Sequence, residues 1–193
     1  NMLAGISHDL KTPLTRINLM IEEINNLNLK NSISKNISEM NLMLNHYLDF
    51  IKNEKNENFN EIETQKFIKD LAFDYSKLNL TRNESKILLI RKNQISRALV
   101  NILDNANKFA EKIYMSSYLL EKKWVITIED NGPGTSLSKE ELVKPFTKGS
   151  DQLNQGTGLG LSIVQKLINL NNGELRFEVS SYGGLKVLIS LEI

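Results

Sequence analysis

The run Ser7-His8-Asp9-Leu10-Lys11-Thr12-Pro13-Leu14 sets an imidazole, a carboxylate and a hydroxyl within about one helical turn, followed at once by a proline. A histidine in that company is a nucleophile, a packing residue or an idle surface group. The helical period argues against packing. Ile6, Leu10, Leu14, Ile17, Ile21 and Ile24 fall on one stripe, and His8 points to roughly the opposite side. Pro13 lacks an N–H and its ring crowds the carbonyl of Asp9, so a bend or local opening is expected beside the histidine.

A second constellation lies between Gln94 and Ala110. Ile95, Leu99, Ile102, Ala106 and Phe109 form the apolar side of a predicted helix, while Asn101, Asn105 and Lys108 gather on another face. Asparagine is a mediocre helix former, so this cluster reads either as a ligand site or as a solvated face in an Asn-rich chain. Further on, the β-prone run Trp124–Ile128 enters Glu129-Asp130-Asn131-Gly132-Pro133-Gly134. Glycines about a proline make a tight turn that lets backbone approach a ligand. Asp130, at the strand end, is either a plain turn residue or an acceptor for an exocyclic amine, which would favour adenine over guanine.

Thr135–Gln155 is long, polar and charged, as expected of a lid over a ligand, with Phe146 as its expected anchor. It closes on Gly156-Thr157-Gly158-Leu159-Gly160, which leads into a helix running to about Leu170. Alternate glycines before a helix expose backbone N–H groups at the positive end of its dipole, a phosphate site in physical terms. The spacing is neither the Gly-x-Gly-x-x-Gly of a dinucleotide fold nor a Gly-x-x-x-x-Gly-Lys-Ser/Thr loop.

The elements that must position these groups follow from apolar spacing. A helix over about residues 1–26, a second from Ser32 as N-cap to about Lys55, and a short turn between them make an antiparallel hairpin. Each helix is apolar along one stripe only, so the hairpin is expected to dimerise into a four-helix bundle. His46, in the second helix, has no acid or base partner in its own turn and reads as a surface or boundary residue. The polar run Asn53–Asn60 reads as a linker, with 1–55, 56–62 and 63–193 as hairpin, linker and second domain. That second domain is expected to hold a helix over Glu63–Leu78, a strand over Lys86–Ile90, the Asn-bearing helix, a hairpin of Ile113–Leu120 with Trp124–Ile128, and closing strands Glu174–Ser180 and Leu185–Ile193 joined through Gly183-Gly184.

Composition narrows the classes. The 24 basic and 23 acidic residues leave a net charge of +1, which gives no broad electrostatic reason for nucleic-acid or membrane-surface binding. The absence of cysteine excludes thiolate sites and disulfides, and with two histidines a multi-histidine zinc site is not expected. No apolar run approaches the roughly 18–20 residues that cross a bilayer, and Asn1 falls inside a helical pattern, so the chain is expected to be a fragment of a longer protein.

The motifs are individually modest, but their order is specific: His-Asp-x-x-Thr-Pro, Asn-x-x-x-Asn, Asp-x-Gly-x-Gly, a Phe-bearing loop, Gly-x-Gly-x-Gly. Over essentially its whole length the chain resembles the catalytic portion of sensor histidine kinases, nearest the EnvZ osmosensor group in Ser7–Ile17, the lid with Gly156–Val164, and Gly183-Gly184-Leu185. The resemblance implies an α+β chain, an N-terminal helical hairpin forming a dimeric four-helix bundle followed by an α/β sandwich ATP-binding domain of the histidine kinase and Hsp90 type. It implies His8 as phosphoacceptor, Asp9 as its proton partner, and Thr12 as positioning water for dephosphorylating a partner. It also implies ATP and Mg²⁺ as cofactors, with Mg²⁺ held by Asn105 and Asn101, phosphate touched by Lys108, and adenine read by Asp130. Gly132, Gly134, Phe146, Gly156, Thr157, Gly158, Leu159 and Gly160 would complete the nucleotide pocket. The implied partners are a second copy of the chain and a response regulator of the OmpR kind, and the implied setting is a cytoplasmic fragment of an inner-membrane-anchored bacterial sensor. Thr135, where the family usually has an aliphatic residue, and Phe109, where it commonly has Tyr, depart from the pattern. A degenerate scaffold that binds nucleotide without transfer, and an ATPase or serine kinase on the same fold, are the competing readings. The His8 hairpin argues against the latter and the completeness of both halves against the former.

Overall fold

The computed structural model describes residues 12–17, 19–22, 24–51, 57–147 and 158–193. His8 and Asp9, with the bend expected beside them, and Gly156 and Thr157 lie outside the described residues.

The first helix, α1, is helical over 12–17 and 19–21, and the second, α2, runs Leu27–Ile51. Leu14, Ile21 and Ile37 form the buried seam between them, with Ile24, Ile33 and Leu44 packed alongside. The expected N-cap, Ser32, instead lies inside α2. Asn26 starts this helix, its Oδ1 accepting from the Leu29 N–H at 3.1 Å, so one cap satisfied early moved the boundary by about a turn. Ile17, expected on the apolar stripe of the first helix, stands exposed in the single chain, as do Met20 and Met40. An open apolar side of this kind is what a hairpin that needs a partner presents.

Beyond α2, strand β1 (Asn60–Glu63) pairs antiparallel with β3 (Ile87–Ile90), and a five-stranded sheet has the order β2-β4-β5-β7-β6. Its strands are β2 (Leu78–Asn83), β4 (Ile113–Leu120), β5 (Lys123–Asp130), β6 (Glu174–Val179) and β7 (Leu185–Glu192). Among the described residues only β2 against β4 is parallel; the other pairs are antiparallel. Helices α3 (Thr64–Ala72), α4 (Lys92–Phe109) and α6 (Gly160–Leu170) supply the second layer, and a one-turn helix, α5 (Lys139–Leu142), interrupts the loop between β5 and α6.

The α4, β4, β5, α6 and β7 positions follow the expected apolar periods closely, because each buries a full face. Ile95, Ala98, Leu99, Ile102, Leu103 and Ala106 of α4 meet Ile163, Val164, Leu167 and Ile168 of α6 over Met115, Ile126, Ile128 and Ile189 of the sheet. The helix expected over Glu63–Leu78 is a correction. It ends at Ala72, and Leu78 already pairs with Ile113 as the start of β2. Sheet pairing overrides the helical pattern there, and Lys77 reinforces it by donating to the Asn107 and Ala110 carbonyls at 2.7 and 2.8 Å. The run expected as a linker is also partly structured, since Asn60 opens β1. Glu57 caps α4 from outside it, Oε1 and Oε2 accepting from the Asn93 and Gln94 N–H groups at 2.7 and 3.0 Å. Arg91 completes the clasp, donating to the Glu57 carbonyl at 3.2 Å and the Leu170 carbonyl at 3.0 Å while its guanidinium lies 4.4 Å from the Phe59 ring centroid.

Trp124, the single tryptophan, is 1% exposed, donates to Ser117 Oγ at 2.9 Å and meets Phe67 edge-on at 6.2 Å. Phe67→Ala empties the far side of that contact and is expected to cost about 3–5 kcal/mol. Urea unfolding followed by Trp124 emission measures it; an unchanged midpoint would refute the packing described.

Candidate functional site

The site is assembled from the C-terminal half of α4, the turn after β5, and the start of α6. α4 buries one face and leaves the adjacent one partly open. Asn101 and Asn105 are half-buried on that face, with Lys108 exposed a turn further on. The amide nitrogen of Asn101 donates back to the Arg97 carbonyl at 2.8 Å, which commits its donor end and leaves its carbonyl oxygen on the side of Gly160. Beside that face the Tyr75 hydroxyl donates to Asp104 at 2.8 Å and steadies α4. Burial, reinforced by Asp104, pushes that hydroxyl far above its ordinary range, so it is a donor at every physiological pH.

Gly160 opens α6 directly against this face. A Cβ there would lie 3.4 Å from Asn101 Oδ1 and 3.8 Å from Asn105 Nδ2. The backbone N–H end of α6 and the two side-chain amides of α4 therefore share one crevice. Leu159, beside it, contributes only its backbone, because its side chain is wholly buried in the core. Lys108 Nζ sits 5.1 Å from the Phe109 ring centroid, near the end of α4.

Asp130 closes β5 on the helix-bearing side of the sheet, in register with Ile113 of β4. Its Oδ1 accepts from the Gly132 N–H at 2.8 Å and the Leu185 N–H at 3.2 Å, leaving Oδ2 unengaged by the described residues. The turn is pressed onto α4, since a Cβ on Gly132 would meet the Phe109 carbonyl at 3.0 Å. Asn131 pins it from the other side, its Oδ1 accepting from the Glu111 and Lys112 N–H groups at 3.0 and 2.8 Å. Gly134 follows with φ of 68°, and a Cβ there would lie 3.6 Å from the Gly184 carbonyl.

Phe146 does not anchor its loop as expected. Its ring is 58% exposed, and it is the Phe146 N–H, donating to the Gly158 carbonyl at 2.9 Å, that joins the two ends of the loop. A crevice of about 430 Å³ between Val143, Pro145 and the outer side of α6 is separate from the asparagines and from Asp130.

Sequence reasoning missed Gly184 and Leu185, whose N–H groups reach the Asp130 carbonyl at 3.1 Å and its Oδ1. The available signal was the second glycine of the pair: Gly183, with φ of 98°, suffices for the turn, so Gly184 had to be there for close approach.

Comparison with known proteins agrees with this geometry. Residues 91–193 match the family of histidine kinase-, DNA gyrase B- and HSP90-like ATPases, and residues 1–56 match the His kinase A phosphoacceptor domain. This chain belongs to the sensor histidine kinases. Among its relatives are the sensor histidine kinase GtrS of Pseudomonas aeruginosa, 26% identical over 98% of this chain and 41% of that protein, and CpxA of Escherichia coli, 29% identical over 100% and 46%. The chain thus spans less than half the length of these curated relatives. Its fold is similar to that of full-length ShkA, solved in complex with AMPPNP, with a TM-score of 0.71 at 18% identity over 98% of this chain and 45% of that one. The α/β layer is accordingly an ATP-binding domain of the histidine kinase type, and the helical hairpin precedes it as in that family.

Gly158 has φ of 69°, and a Cβ there would lie 2.7 Å from the Thr147 carbonyl. Gly158→Ala is expected to lower stability by at least about 1–2 kcal/mol from the left-handed backbone alone and to open the loop base to protease. Thermal unfolding with limited proteolysis reads both effects, and a variant equal to the parent in both would refute the closure described.

Proposed function

We propose that the chain is the catalytic core of a sensor kinase that phosphorylates His8 from ATP and passes the phosphoryl group to an aspartate of a response regulator of the OmpR kind. The observation that supports this reading is the meeting of Gly160 with Asn101 and Asn105, because it sets a phosphate-binding helix end against the Asn101 side-chain oxygen and the Asn105 amide. Residues 1–55 serve as the dimerising phosphoacceptor hairpin, 56–62 as the linker, and 63–193 as the nucleotide domain.

The donor set suits Mg²⁺: side-chain carbonyl oxygens of Asn101 and Asn105 are hard ligands, and Asn101 already has its nitrogen committed elsewhere. When bound, the ion would neutralise charge on the phosphates. Asp130 accepts the adenine amine through its unengaged Oδ2, Lys108 contacts phosphate, and Gly132, Gly134, Gly156, Thr157, Gly158 and Gly160 give backbone access around the nucleotide. Phe146 and the buried Leu159 act through the backbone at the pocket's edge.

A neutral His8 nitrogen attacks the γ-phosphorus, forming an N–P bond as the bond to the bridging oxygen breaks and ADP leaves. Asp9 takes the proton from the other ring nitrogen. The remaining work is orientation of the two reactants. In the reverse direction Thr12, on the exposed side of α1, positions water against the regulator's phosphoaspartate.

Incubation with Mg²⁺ and γ-labelled ATP is expected to yield acid-labile label that vanishes in His8→Ala and falls by about 100-fold in Asn105→Ala, the scale of losing one preorganised electrostatic contact. Nucleotide binding without label, in the presence of a regulator that accepts phosphate, would identify a scaffold instead. Thr12→Ala is expected to keep the label on His8 while slowing dephosphorylation of the regulator; equal rates would remove Thr12 from the reverse reaction.

A further inference from the structure

Glu129 precedes Asp130 on β5, so its side chain leaves the opposite face of the sheet and cannot reach a nucleotide on the helix side. It is nonetheless heavily engaged. Its Oε2 accepts from Ser181 Oγ at 2.8 Å, from the Ser181 N–H at 3.1 Å and from Ser180 Oγ at 3.4 Å. Those donors belong to the turn between β6 and β7. The turn is closed internally by the Ser180 N–H donating to the Gly184 carbonyl at 2.9 Å and the Gly183 N–H donating to the Ser180 carbonyl at 3.1 Å. Tyr182, at its tip, stacks on Tyr114 with ring centroids 3.7 Å apart and planes 13° apart, and Tyr114 is the β4 residue directly opposite Glu129.

The far end of the same turn delivers the two N–H groups that hold Asp130, those of Gly184 and Leu185. The fit is tight: a Cβ on Gly184 would lie 2.1 Å from Asp130 Oδ1 and 2.5 Å from the Asp130 carbonyl. Adjacent residues of one strand thus grip opposite ends of one turn, Glu129 from the sheet's outer side and Asp130 from the nucleotide side.

We infer that Glu129, with Ser181 and the Tyr114–Tyr182 stack, is a positioning element for base recognition: it fixes the Ser180–Gly184 turn so that the Leu185 N–H holds Asp130 Oδ1 and turns Oδ2 toward the 6-amino group of adenine. This rests on the reading of Asp130 as the adenine acceptor. Without the Glu129 carboxylate the turn loses three donors' common acceptor. The Leu185 hydrogen bond loosens, and Asp130 retains only Gly132 to orient it. The loss falls on the contact with the exocyclic amine and leaves phosphate contacts alone.

The test compares binding of ATP with that of purine riboside triphosphate, which lacks the 6-amino group, with Mg²⁺ present and the fold checked by Trp124 emission. Asp130→Ala abolishing the parent's preference for ATP establishes the acceptor; failure of that control refutes the Asp130 reading rather than the role of Glu129. Given the control, Glu129→Ala is expected to weaken ATP about ten-fold, the scale of one charge-assisted hydrogen bond, while leaving purine riboside triphosphate unchanged. Glu129→Gln, which keeps an acceptor oxygen, should recover part of the loss, and the exposed Ser181→Ala gives a smaller loss of the same selectivity should Glu129→Ala fail to fold. Equal weakening of both nucleotides, or no weakening of ATP by either the Glu129 or the Ser181 variant, overturns the inference.

Discussion

Everything in the nucleotide domain depends on how closely the first turn of α6 approaches α4. Helix axes pack about 8–10 Å apart when ordinary side chains separate them, and a ligand-binding crevice between two helices needs one end where that separation is not filled. Here bulky apolar filling is confined to the deeper turns, where Ile163, Val164 and Leu167 meet Leu99, Ile102 and Leu103, whereas Gly160 stands opposite the asparagines. The apolar contact fixes the relative position of the helices. The missing side chain at the mouth turns that fixed position into a place where backbone N–H groups and the two side-chain amides face the same small volume.

What could be read from the residues in order was whatever buries a whole face. α4, α6, β4, β5 and β7 show their periods because one side of each is sealed against the core. β1 and β2 were missed for the same physical reason. β1 buries only Ile62, and β2 is an edge strand with most positions exposed, so neither carries an apolar alternation. The site divides along similar lines. Asp130 and the glycine runs were legible because they act through backbone geometry that only a few residue types permit. The approach of Gly160 to Asn101, and that of Leu185 to Asp130, join residues far apart in the chain, and nothing local encodes either contact. Phe146 was misread because a large apolar residue in a polar loop suggests a buried ring, whereas the loop's ends are joined by a peptide group.

The sheet is more than a floor for the helices. Because alternate side chains of β5 leave opposite faces, Ile128 fills the core, Glu129 faces outward and Asp130 returns to the helix side within three residues. A strand end at an edge of the pocket can in this way take structural support from one face and present chemistry on the other, with the connecting turn as the only intermediary.

The clasp of Glu57 and Arg91 on α4 and α6 has a consequence for the chain between the two parts. With Glu57 held there, only residues 52–56 separate it from the end of α2, and an extended chain across that gap spans at most about 20 Å. Where that span lets surfaces of the hairpin and the nucleotide domain of one chain meet, the encounter is unimolecular, at an effective concentration of the order of millimolar. Surfaces joined by so short a tether need little intrinsic affinity to meet.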